Sequence, residues 1–167
     1  MDFNLLVWLF AIAITLHNIE EAIWLPAWSK IAGRWHRPVE PREFRFAVFV
    51  LTIVAYIASY LAISGGKESF GAYLISGYAL AMLLNVPFPH FVATVAMKKY
   101  VPGVVTAMVL NLPITFYLLR KAILENYVKF PEFIWIGPLV VIGILISIPF
   151  LFALGQWQSN LKEKKRT

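Results

Sequence analysis

FNLLVWLFAIAITLHNIEEAIWL, residues 3–25, is apolar along most of its length, yet it carries His17, Glu20 and Glu21 in its second half. About 20 apolar residues at 1.5 Å rise cover the roughly 30 Å hydrocarbon layer of a bilayer, so the stretch predicts a membrane-spanning helix. The same pattern recurs at 44–64, 70–96, 101–123 and 134–154. The expected fold is all-α: a polytopic membrane protein, one domain over 1–167, built as a bundle of five transmembrane helices.

Composition agrees. The chain of 167 residues is 60% hydrophobic and 14% charged, with a mean hydropathy of +0.71, which is too apolar for an ordinary soluble domain. It has no cysteine, which excludes disulfides, thiolate nucleophiles and cysteine-ligated zinc or iron–sulfur centres. The net charge of +6 points, in so apolar a chain, to anionic lipid headgroups rather than to nucleic acid. The opening MDFNLLVWLF has Asp2 and no basic residue, so it lacks the basic region of a secretory signal, and the first helix is expected to be retained.

Basic residues set the expected orientation. Lys30, Arg34, Arg37, Arg42 and Arg45 follow span one, Lys98 and Lys99 follow span three, and Lys162, Lys164, Lys165 and Arg166 close the chain, against Lys67, Arg120, Lys121 and Lys129 on the other side. The positive-inside rule then places the N-terminus outside and the C-terminus in the cytoplasm, in a membrane of the bacterial cytoplasmic type. Trp28 to Phe46 interleaves aromatic rings with cations and reads as an interfacial anchor. His36 belongs to that anchor and is read as a loop residue. Trp8, Trp24, Trp28, Trp35, Trp135 and Trp157 read as interfacial belts.

The three polar residues of span one share a face. With the span centred near Ile14, His17 lies roughly 4–5 Å and the glutamates roughly 9–10 Å to the inner side of the midplane. At 100° per residue, Glu20 and Glu21 fall on either side of the imidazole. An acidic residue at mid-span costs on the order of 2.5–3.5 kcal/mol, so the pair needs partners. His90 in NVPFPHF is expected at the same depth on span three, just after a kink caused by Pro87 and Pro89, which lack backbone donors. Asn111, followed by Pro113, repeats the theme on span four. A cavity bounded by spans one, three and four is expected to house these groups, with Asn85 and Asn111 as supporting or substrate-binding residues.

The chain resembles the HXXEE-motif membrane proteins, which are defined by H-x-x-E-E, a later histidine and Y-x-P-G. Here these are His17, Glu20 and Glu21; His90; and Tyr100, Val101, Pro102 and Gly103. The resemblance implies a polytopic membrane protein of no settled activity and nominates these residues. Read physically, Pro102 suits the first turn of span four, Gly103 a close helix contact, and Tyr100 an interfacial belt with its hydroxyl toward a headgroup or substrate.

The chemistry read from these residues is a divalent-metal site, zinc in preference to iron, with His17, His90 and Glu20 or Glu21 as ligands. Glu20 and Glu21 are also the catalytic candidates, one holding the metal and the other taking a proton from its water. The expected function is a metal-dependent enzyme acting on a lipid or other amphiphile. A metal-free acid/base isomerase of a membrane lipid is the alternative. So is a carrier or binding protein for an ion or small amphiphile. Against transport, the chain has no recognisable helix duplication, an objection that a homodimer would meet. In the purely structural reading, Glu20 and Glu21 snorkel or pair with Arg34, Arg37 or Arg42, and Ser59, Ser76 and Thr106 act as interhelical glue. Two better-known metal families fail on residues. CAAX-type proteases would need arginine at Leu25 and phenylalanine at Val86, and histidine-box hydroxylases need more than three histidines.

Overall fold

The computed structural model describes residues 1–33 and 36–164, without the side chains of 158–164. Arg34, Trp35, Lys165 and Arg166 therefore lie outside the described residues or side chains, as does the Lys162 and Lys164 part of the basic C-terminal cluster. Five helices are long and apolar enough to cross a membrane: α1 (Phe3–Ser29), α2 (Pro41–Gly65), α3 (Phe70–Met97), α4 (Val104–Leu124) and α5 (Phe130–Lys164). Asp2 caps α1 by accepting from the Leu5 N–H at 2.7 Å, and Ser69 caps α3 through the Ala72 N–H at 3.1 Å.

The helices are apolar outside as well as in the core, with a few polar side chains buried among them. Leu5, Trp8, Ile12, Leu16, Ile19 and Ile23 form an exposed stripe down α1, whereas His17 and Asn18 are buried. That departure from the soluble pattern leaves an apolar surface suited to hydrocarbon. Trp24, Trp135 and Trp157 are exposed as well.

Phe3, Leu6, Val7, Phe10 and Ile14 of α1 form the main core with Ala55, Ala58 and Ala62 of α2, Tyr73, Ile75 and Tyr78 of α3, and Leu118 and Ala122 of α4. The alanine row on α2 lets neighbouring backbones approach closely, the usual basis of helix association in lipid. Ser59 reinforces it, donating to the Ala55 carbonyl at 2.8 Å and lying 3.4 Å from that of Val7 on α1. This core fills one end of the bundle and leaves the polar residues to the other.

Three expectations change in detail. The fourth helix begins at Val104, not 101, because Tyr100–Gly103 is a turn: Gly103 has φ +88° and precedes the helix as its cap. Pro102 therefore ends that turn instead of opening the helix. The predicted anchor is also shorter, since α2 already starts at Pro41. The kink in α3 falls where the prolines place it. Residues Val86–Phe91 form a widened π-turn in which Phe88 leaves helical geometry (φ −137°, ψ +123°), and the Phe88–Pro89 peptide is cis. A second π-turn, Ala107–Asn111, sits directly before Pro113 in α4.

Glycine packing offers a test of the helix contacts. A Cβ at Gly71 would run into the backbone of Leu61 and Ala62, whereas one at Gly143 would meet nothing within 4 Å. Gly71→Val is expected to destabilise the protein by on the order of 1–3 kcal/mol, as overpacking against an immovable backbone does. Gly143→Ala is expected to be neutral or stabilising, and thermal melts of the purified protein check both.

Candidate metal centre

Adjacent residues on a helix point 100° apart, so Glu20 and Glu21 cannot serve the same partner. Glu21 lies four residues beyond His17 and turns toward α3. Its Oε1 is 3.8 Å from His17 Nε2 and 3.5 Å from His90 Nε2. The two imidazoles are buried and meet edge to face, with ring centroids 5.0 Å apart. One donor atom from each of His17, Glu21 and His90 falls within 4.8 Å of the others.

Glu20 turns the other way, to the start of α4. Its Oε1 accepts from the Tyr100 hydroxyl and from the Gly103 N–H at 3.0 Å, and its Oε2 accepts from the Thr106 N–H at 3.0 Å and the Thr106 hydroxyl at 2.6 Å. A carboxylate from one helix thus caps the N-terminus of another, where the free N–H groups and the positive end of the helix dipole favour an anion. Burial, followed by the adjacent Glu20 carboxylate, pushes the Tyr100 phenol well above its usual range, so it stays a donor. The expectation that Tyr100 faces a headgroup is corrected: its hydroxyl is held by Glu20.

Thr106 links the two halves of the site. Its hydroxyl has one proton, and both acceptors within reach, Glu20 Oε2 and the Gly103 carbonyl at 3.2 Å, can only accept. The third neighbour, His17 Nδ1 at 2.9 Å, must therefore donate. His17 is fixed as its Nδ1–H form, and the Nε2 lone pair, buried without a hydrogen bond, faces Glu21. On α3, Asn85 acts in the opposite sense: its amide nitrogen, 2.9 Å away, donates to His90 Nε2, the nitrogen that faces Glu21, and it is His90 Nδ1 that is buried without a hydrogen bond.

Gly103 explains the rest of the turn. A Cβ there would lie 2.5 Å from Cε1 of His90, 2.9 Å from Cε1 of His17 and 3.1 Å from Cγ of Glu21. Only a residue without a side chain lets both rings and the carboxylate converge, and the positive φ favours glycine on the same grounds.

A cavity of about 240 Å³ lies against the cluster, with His17, Glu21, Asn85 and His90 in its wall. The expectation of walls from spans one, three and four is corrected. The cavity lies among α1, α2, α3 and α5, and the α4 side contributes only Val101 and Pro102 of the turn. Asn111 is not in its wall; it is fully buried in the α4 π-turn, where its amide makes no hydrogen bond. Among the described residues no arginine pairs with Glu20 or Glu21. Sequence reasoning missed two participants, Thr106, taken for glue, and His36, taken for a loop residue, whose ring meets Trp28 in the cavity wall; Gly103, read as a close helix contact, makes that contact with both imidazoles and Glu21.

Fold and site together define an all-helical protein with five membrane-length helices and a buried two-histidine, one-carboxylate cluster. The chain belongs to the HXXEE family, described as proteins of unknown function with an HXXEE motif, whose model matches residues 8–118. That range contains every motif residue from His17 to Gly103. It is also 40% identical over 146 residues, 87% of this chain and 92% of the relative, to the uncharacterized protein YrkK of Bacillus subtilis (strain 168). No solved structure matches the chain.

The hydrogen-bond count predicts a specific variant. In Thr106→Val the His17 Nδ1–H loses its acceptor, and the ring is expected to shift toward the Nε2–H form, whereas Thr106→Ser retains the wild-type form. Imidazole nitrogen NMR of selectively labelled protein reads the difference directly.

Proposed function

We propose that the protein is an integral membrane metalloenzyme that acts on a lipid or other amphiphile, with its N-terminus outside and its metal site in the inner leaflet of the cytoplasmic membrane. The observation that carries the reading is the convergence of His17, Glu21 and His90 at the cavity wall. Zinc with ligands at about 2.0–2.2 Å sets neighbouring donors roughly 3.3–3.6 Å apart in a tetrahedron. The separations of 3.5 and 3.8 Å from Glu21 Oε1 approach that set, and the donors of the cluster, all within 4.8 Å of one another, would have to draw together around the ion. Two imidazoles and one carboxylate also favour zinc, with iron as the second choice.

The residues then divide the work, with Glu21 both holding the metal through one oxygen and able to take a proton on the other. His17, held as its Nδ1–H form through Thr106 and Glu20, offers Nε2 as a ligand, the arrangement by which outlying carboxylates orient metal-bound histidines. His90 exchanges its Asn85 hydrogen bond for coordination. A bound zinc would supply a water acidic enough to attack an ester or amide near neutral pH. Glu20, already accepting four hydrogen bonds, is a positioning residue. Proton acceptance falls to Glu21.

A metal-free reading rests on the same cluster: if Glu21 Oε1 closed from 3.8 Å to hydrogen-bond distance of His17 Nε2, one proton between them would satisfy both. It makes Glu21 the acid or base of an isomerase or the carrier of a transported proton.

Metal analysis of untagged protein separates the two. The metalloenzyme reading expects about one zinc per chain, lost in His17→Ala, Glu21→Ala and His90→Ala, with affinity lowered roughly 10–100-fold in Thr106→Val. Wild-type protein that holds no stoichiometric metal after zinc reconstitution would leave the proton reading in its place.

A further inference from the structure

The cavity beside the cluster has a form that narrows the substrate class, an inference that rests on the proposed function above. Its α1 wall runs from His17 to Trp28, eleven residues or about 16 Å along the helix axis. It is therefore a slot parallel to the helices. At about 240 Å³ it falls below the roughly 300–1,000 Å³ that encloses a whole drug-sized molecule. That suits one hydrocarbon chain and not a fused-ring sterol or a two-chain lipid.

The polar groups in its wall are nearly all occupied by the protein. The Tyr78 hydroxyl donates to the Leu51 carbonyl at 3.1 Å, and the Asn18 amide donates to the Val48 carbonyl at 3.2 Å and to Thr52 Oγ1 at 2.8 Å. What these residues turn to the slot is apolar, like Leu51, Met82, Ile144 and Ile148 beside them. The exception is the cluster, where His17 Nε2 is buried without a hydrogen bond. The slot asks for a ligand with hydrocarbon along most of its length and one polar junction at a set place. Leu145 lines the slot and is also 58% exposed on the outer face of α5, so the slot meets the bilayer sideways there.

We propose that the slot binds a single-chain amphiphile of the monoacyl ester or amide type, entering from the bilayer past Leu145. Its carbonyl junction rests at His17, Glu21 and His90, and its chain lies along Leu25, Phe44 and Phe152 toward Trp28.

The test uses the full-length protein in detergent-free lipid nanodiscs, because a detergent is itself a single-chain amphiphile. The probe is a monoacylglycerol carrying a diazirine at the chain end, photolysed in place, with labelled residues mapped by mass spectrometry. Labelling is expected at the slot-lining positions of α2 and α5, competed by excess monoacylglycerol and not by cholesterol. Met82→Trp and Leu145→Trp, both at partly or fully exposed positions, are expected to lower slot labelling about tenfold, equivalent to roughly 1.4 kcal/mol, while melting like wild type. Glu21→Gln is expected to keep the label while losing metal. Wild-type protein that labels in the slot but holds no metal would support the slot and remove the metalloenzyme reading. Labelling confined to the outward-facing Leu139 and Ile142, slot labelling unchanged in both tryptophan variants, or stronger competition by cholesterol would each overturn the proposal.

Discussion

A partly buried carboxylate on a membrane-length helix needs hydrogen bonds, and Glu20 obtains four from the Tyr100–Gly103 turn and the start of α4. Two of those donors, the N–H groups of Gly103 and Thr106, belong to a helix N-terminus that would otherwise have no acceptor away from water. Each side therefore satisfies the other's deficit, and neither has an alternative partner of equal quality nearby. The contact sets the axial register of α4 against α1. It also fixes where the Tyr100–Gly103 turn passes over the two imidazoles, so that the cluster inherits its geometry from Glu20 without containing it.

The same contact resolves why two adjacent glutamates occur at all. One carboxylate cannot both saturate a helix N-terminus and present an open oxygen to a pair of histidines, because the first task uses its lone pairs. Placing the residues next to each other on a helix sends them in directions 100° apart, one to α4 and one to α3. Thr106 then connects them again, since the hydroxyl that donates to Glu20 accepts from His17. The state of the imidazole that faces Glu21 is thereby set by the glutamate that faces away from it.

Much of this was legible in the residues. Five apolar runs marked five helices to within a few residues at most ends, and the prolines of NVPFPHF located the break before His90, because a missing N–H acts wherever proline stands in a helix. Helical geometry likewise put His17 and Glu21 together and His90 within reach of them, whereas Glu20, expected beside them, turns to α4. The roles of Tyr100 and Thr106 were not legible, and neither was the contribution of α2 and α5 to the cavity. Those depend on which helices are neighbours and on their rotation, and uniformly apolar helices carry little signal of either. The available clue was the Tyr100–Gly103 motif at the start of the expected fourth span, whose glycine signals a positive φ or a close approach and here reflects both.

The position of the π-turns follows from the same constraints. A regular α-helix through 86–91 would carry His90 on a rotation fixed by residue count, and nothing in that count favours the direction of Glu21. Removing donors at Pro87 and Pro89 frees the chain to widen by a residue and so to re-aim the imidazole, with Asn85 retained on the preceding turn to hold its nitrogen. The cost of the broken hydrogen bonds is confined to one turn, while α3 on either side keeps its packing. The irregular turn brings Pro89 and His90 to the cavity wall, while Pro87, Phe88 and Phe91 stay exposed on the outer side.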